Sequence, residues 1–151
     1  MERGEYSMKI LVFGAGVLGC NLARNLFRAG KNVTLLARGR DTEKRFADQG
    51  QVSPRVSVSR IPVVTELAPE DRYDVIFVVL RYTQLDSILE TLRTNQTKNI
   101  VFVGNNVRAD AIAASLPEKN VLFAFASSAG HREPDRVASI DLKKITIGQL
   151  A

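Results

Sequence analysis

The residues that could do chemistry start with three glycines. Gly14, Gly16 and Gly19 are spaced G-x-G-x-x-G, with Ala15, Val17 and Leu18 between them. The apolar run Ile10-Leu11-Val12-Phe13 precedes them and a helical pattern from Val17 to about Arg28 follows. A glycine bend between a strand and a helix forms no bonds itself. It turns main-chain N–H groups, and the positive end of a helix, toward an anion. In a βαβ unit of about 30 residues that anion is the pyrophosphate of a dinucleotide. Gly14 then makes the tight turn, Gly16 lets the phosphates approach the backbone, and Gly19 lets the helix pack close to the strand.

The end of the second strand chooses between dinucleotides. Val33-Thr34-Leu35-Leu36-Ala37 is followed by Arg38-Gly39-Arg40, and the nearest acid, Asp41, sits further into the loop. An acid at the strand tip would bond the ribose hydroxyls of NAD. Guanidiniums there suit a 2′-phosphate, because Arg binds phosphate bidentately and keeps its charge. Arg38 and Arg40 therefore predict NADP (NADPH) over NAD, a preference of about ten- to a hundred-fold for one charge-assisted bond.

These residues need a scaffold. Strand and helix alternate almost throughout, which predicts a Rossmann-type, doubly wound α/β domain with a mostly parallel sheet. Val63-Val64 reads as the third strand, and Tyr73–Leu80, continuously apolar, as a buried parallel strand. Thr83 opens a helix with Leu85, Ile88, Leu89 and Leu92 on one face. Asn99–Val103 is a strand stopped by Gly104, Asp110–Leu116 a helix cut off by Pro117, and Asn120–Ala126 a sixth strand. A short polar helix is expected over 41–49 and edge strands over 51–61. The tail, 136–140 and 143–147, reads as a C-terminal extension, a hairpin or two short strands. In such a sheet ligands sit beyond the carboxyl ends of the strands. The further candidates are then Leu80 beside the cofactor, Arg81 over the cofactor or a substrate carboxylate, Asn105 against cofactor ribose or substrate, Asn106 against substrate, and the polar stretch Ser127-Ser128-Ala129-Gly130.

Composition narrows the class. The 151 residues fit one domain, with residues 1–7 before Met8 read as an N-terminal extension and 8–151 as the dinucleotide-binding domain. No apolar run reaches the ~20 residues of a membrane span. One cysteine, Cys20, excludes an internal disulfide and suits a cytoplasmic setting; inside the first helix it reads as a packing residue. The net charge of +5 comes from Lys and Arg spread along the chain, with no nucleic-acid motif, so no nucleic-acid partner is expected. The only histidine, His131, lies in a polar stretch with no cysteine or carboxylate cluster, so neither a metal site nor a catalytic triad is readable.

The ordered combination carries a resemblance. Met8 through Gly19, the Val33–Arg38 strand ending in Arg, Val78-Val79-Leu80-Arg81, Gly104-Asn105-Asn106 and the closing Ile147-Gly148 together resemble the N-terminal domain of ketopantoate reductase (2-dehydropantoate 2-reductase), over about residues 8 to 150. The resemblance implies that Gly14, Gly16 and Gly19 hold the pyrophosphate and Arg38 the 2′-phosphate. It also implies that Arg81 is the basic residue near the cofactor and Asn105 the ribose- or substrate-contacting Asn. The family reduces the ketone of a 2-oxo acid with NADPH, and its proton-donating Lys lies in a second, helical domain absent from this chain. No catalytic residue is then expected within it. Arg81 stands where the family usually has Lys, and Gly104-Asn105-Asn106 where it has His-Asn-Gly. Those departures touch the substrate end and leave another 2-oxo acid open as substrate. A homodimer is compatible with the apolar face such a half domain exposes. A non-catalytic module that senses NAD(P) and reports to a partner is the alternative reading.

Overall fold

The computed structural model describes residues 6–38, 61–132 and 137–150. The elements are β1 (Lys9–Phe13), α1 (Val17–Arg28), β2 (Asn32–Leu36), β3 (Val63–Val64) and β4 (Val75–Val78). They continue with α2 (Tyr82–Leu85), a 3-10 turn (Asp86–Ile88), α3 (Leu89–Thr94), β5 (Asn99–Val103), α4 (Ala109–Ser115), β6 (Asn120–Arg132) and β7 (Val137–Gly148). The strands form one sheet in the order β3-β2-β1-β4-β5-β6-β7, parallel up to β6, with β7 antiparallel at the edge. This is the expected doubly wound α/β architecture.

Alternation along the strands builds two cores. Ile10, Val12, Val33 and Leu35 point to one face and pack with Cys20 and Ala23 of α1. Leu11, Phe13, Leu36, Ile76, Val78, Ile100 and Phe102 point to the other. There they meet Leu85, Ile88, Leu92, Ile112 and Leu116 from the helical segments after β4 and β5. Both faces of each central strand are thus buried, which explains continuous apolar runs instead of a polar–apolar alternation. Cys20, 1% exposed, packs as expected, with its thiol donating to the Ala15 carbonyl at 3.4 Å.

Three elements differ from the sequence reading. The helix expected to open at Thr83 starts at Tyr82 and is broken by the 3-10 turn. Leu85, Ile88 and Leu92 stay buried, so the interruption keeps the apolar face. The Ser87 hydroxyl donates to the Gln84 carbonyl at 2.7 Å and competes for a helix acceptor, the usual action of a serine in mid-helix. The second departure is β6, which does not stop at Ala126 but runs to Arg132. The third is the tail, where one 12-residue strand replaces the expected short ones. β6 and β7 pair from Phe123↔Gly148 to Arg132↔Val137, with a register shift between Ala126 and Ser128. The cross-strand ladder satisfies a backbone whose polar composition alone suggests a loop. Ser127–Gly130 and His131 are therefore parts of a strand. Arg40, the helix expected over 41–49 and nearly all of the 51–61 stretch lie outside the described residues.

Candidate dinucleotide site

The glycine bend leaves β1 beside its two neighbours. The Gly14 amide donates to the Leu36 carbonyl of β2 at 3.0 Å, and the Val79 amide beyond β4 donates to the Phe13 carbonyl at 2.8 Å. Gly14 has φ +123°, and a Cβ on it would stand 2.3 Å from the Val79 carbonyl oxygen and 3.0 Å from Cδ2 of Leu80. Glycine is required there on both counts. Gly19 is required by contact alone: a Cβ would lie 1.8 Å from the Gly14 carbonyl oxygen, so the first turn of α1 rests directly on the bend. Val79 carries this packing without a readable motif; its only sequence signal is its place at the end of an apolar run.

Gly16 differs. It is exposed, with φ −78° and ψ −169°, and a Cβ on it would meet nothing within 4 Å. No side chain caps the helix there, and the first turn carries no acid. The first-turn N–H groups have no carbonyl one turn earlier to bond, and with the helix dipole they attract an anion. Ala15, Val17 and Leu18 are half-buried around this open space. The residues present therefore fit a diphosphate at the place where Cβ atoms are missing.

The other strand ends share this edge. The order β2-β1-β4-β5 sets Arg38, the bend, Leu80-Arg81 and Gly104-Asn105-Asn106 side by side after successive parallel strands. This is the switch point where the chain winding reverses, and such sheets bind ligands there. Arg38 is exposed; its Nη1 donates to Ser87 Oγ at 3.3 Å, and its guanidinium carbon lies 5.8 Å from the centre of the Phe13 ring. Arg81 is exposed at the start of α2, where its amide donates to Gln84 Oε1 at 3.3 Å and its carbonyl accepts from the Gln84 amide at 2.9 Å. Asn105 is exposed after Gly104, whose φ is +133°. Asn106 turns inward, donating weakly from Nδ2 to the Phe102 and Gly104 carbonyls at 3.4 and 3.3 Å, and so braces the turn. Sequence reasoning missed Phe13, Gln84 and Ser87: Phe13 reads as core, and the other two lie in a helix that the periodicity made uniform.

A cleft of about 390 Å³ runs elsewhere, along the flank of α1. It is lined by Leu18, Leu22, Leu26, Val103, Ala126 and Ile145 among others. Among the described residues it holds no acid, and Gly14, Gly16, Gly19, Arg38 and Arg81 are not part of it. Its walls are mostly apolar, with Arg28 and Lys144 also lining it. Among the described residues no group of three or more His, Cys, Asp or Glu could hold a metal, and no helix is long and apolar enough to cross a membrane.

Comparison with known proteins agrees with this fold. The 2-dehydropantoate 2-reductase of Geobacter metallireducens GS-15 superposes with a TM-score of 0.74 at 22% identity, over 94% of this chain and 49% of that one. D-mandelate dehydrogenase, solved with NADH and anilino(oxo)acetate, superposes at 0.73 with 19% identity, over 93% and 47%. At these identities the likeness shows the fold. A D-amino acid dehydrogenase of Methylobacterium sp. (strain 4-46) is 50% identical over 52 residues, 33% of this chain and 12% of that protein. The chain spans about half the length of these solved structures and a small part of the curated relative. The family model for ketopantoate reductase PanE/ApbA matches residues 10–151, nearly the whole sequence. With the bend, the sheet order and this match in agreement, the chain belongs to the ketopantoate reductase PanE/ApbA family.

Proposed function

We propose that residues 8–151 are the NADPH-binding half of a reductase acting on a 2-oxo acid, with ketopantoate the first substrate to try. The observation that carries the proposal is the pairing of two features on adjacent strand ends. One is the exposed, uncapped bend with open space at Gly16; the other is the exposed Arg38 guanidinium. Gly14, Ala15, Gly16, Val17, Leu18 and Gly19 would hold the pyrophosphate, and Arg38 the 2′-phosphate with Arg40 beside it in sequence. Leu80 and Arg81 would flank the cofactor, and Asn105 and Asn106 would face ribose and substrate. A bound NADPH supplies a hydride to the substrate carbonyl carbon.

What remains is a proton for the carbonyl oxygen. The Arg81 guanidinium and the amides of Asn105 and Asn106 can orient a carbonyl by hydrogen bonding. None of these strand-end groups is a general acid. The family resemblance places the acid, a Lys, in a second domain, so the reading has the residues of this chain bind the cofactor. The test is fluorescence titration with NADPH and NADH, on the wild type and on Arg38→Ala. NADPH should bind about ten- to a hundred-fold more tightly than NADH, and Arg38→Ala should remove that difference. Equal affinities in the wild type would sink the NADPH assignment.

A further inference from the structure

Arg38 sits at a strand end, and among the described residues the side chains of Phe13 and Ser87, from other elements, meet its guanidinium. Beneath it is the ring of Phe13, the last residue of β1, 3% exposed and fixed in the core, at 5.8 Å from the guanidinium carbon. Beside it is Ser87, in the 3-10 turn beyond β4, whose Oγ accepts from Nη1 at 3.3 Å. The Ser87 hydroxyl has a set polarity. Its proton goes to the Gln84 carbonyl at 2.7 Å, so its lone pairs are what remain for a donor. As a neutral acceptor, Ser87 does not itself neutralise the guanidinium, as a carboxylate in its place would. Ser87 lies in the break between α2 and α3, across which Leu85, Ile88 and Leu92 keep one buried face.

We infer that Ser87 and Phe13 are positioning residues that hold the Arg38 guanidinium at the strand edge and thereby set the preference for NADPH over NADH. The inference rests on the proposed reading of Arg38 as the 2′-phosphate ligand. An arginine loses much rotamer freedom when it is fixed. Fixing it before binding removes part of that cost from association with the phosphate. NADH lacks the phosphate and gains nothing from the arrangement.

The experiment is titration of the full chain with NADPH and with NADH, for the wild type, Ser87→Ala, Ser87→Thr, Phe13→Leu and Arg38→Ala, and for Ser87→Ala combined with Arg38→Ala. Ser87→Ala should weaken NADPH binding by about three- to ten-fold and leave NADH unchanged, while Ser87→Thr, which keeps the hydroxyl, should restore it. Phe13→Leu keeps apolar volume without a ring face and should cost about two- to five-fold for NADPH alone. In the Arg38→Ala background, Ser87→Ala should change neither affinity. Equal weakening of both cofactors by Ser87→Ala overturns the inference, as does an unchanged NADPH/NADH ratio while Arg38→Ala abolishes the preference. If Arg38→Ala itself leaves the ratio intact, the NADPH reading has failed and the inference falls with it.

Discussion

Alanine at Gly16 and alanine at Gly19 should separate cofactor binding from folding. At Gly19 the new Cβ would start 1.8 Å from the Gly14 carbonyl oxygen. Both partners are backbone, so α1 must move off the bend by at least about 1.2 Å to reach the 3.0 Å that real Cβ contacts keep. Overpacking of this kind costs about 1–3 kcal/mol or more, against a helix-propensity gain of about 1 kcal/mol. A net loss of about 2 kcal/mol lowers Tm by about 4–8 °C in a domain of this size. At Gly16 the Cβ meets nothing, and φ −78° suits any residue. Alanine is a poorer N-cap than glycine, but it also restricts the unfolded chain. The stability change should stay within about 1 kcal/mol, or about 2–4 °C. The same methyl group fills the space a phosphate needs, so the NADPH Kd should rise ten-fold or more, the loss of one charge-assisted hydrogen bond. Thermal unfolding and NADPH fluorescence titration on the two variants give the answer. A Gly16→Ala protein that binds NADPH like the wild type refutes the assignment of the bend, and a Gly19→Ala protein that melts with the wild type refutes the packing argument.

The scaffold makes its own predictions. Phe102, 1% exposed and stacked on Phe123 at 5.8 Å between ring centres, should cost about 3–5 kcal/mol when changed to Ala, read from urea unfolding. Asp74 accepts from the Tyr6 hydroxyl and, at 2.7 Å, from the Lys9 amide; the Tyr6 bond foremost, then the Lys9 amide, hold its carboxyl below the usual carboxylate range. Its stabilising contribution is therefore complete above an unfolded pKa near ~4 and is lost as pH falls through the lower folded value. Asp74→Asn should lose less stability than the wild type between pH 7 and pH 3, and an identical loss in both proteins would contradict that role.

How much was legible depended on whether the signal was local. The spacing Gly14, Gly16, Gly19 and the boundaries of α1 (Val17–Arg28) and β5 (Asn99–Val103) follow from residues adjacent in sequence. Gly14 is unreadable in another respect: what a Cβ on it would strike is the carbonyl of Val79, just beyond β4 and 65 residues later. The long β6–β7 ribbon was missed for the same reason. Ser127–Gly130 has loop composition, and only pairing with β7 makes it a strand. Periodicity found Leu85, Ile88 and Leu92 as one apolar face, which a 3-10 turn preserves as well as an α-helix does. It could not find the break, or the contact that Ser87, within it, makes with Arg38. Arg81 and Asn105 stand at strand ends as the topology required, while Asn106 spends its amide on its own turn.

The most direct measurement is a crystal structure of this chain with NADPH. The account predicts diphosphate density against the main chain of Gly14–Gly19 at the start of α1, and the 2′-phosphate within hydrogen-bonding distance of the Arg38 guanidinium. Density for the dinucleotide in the apolar cleft along α1, or a 2′-phosphate turned away from Arg38 into solvent, would contradict it.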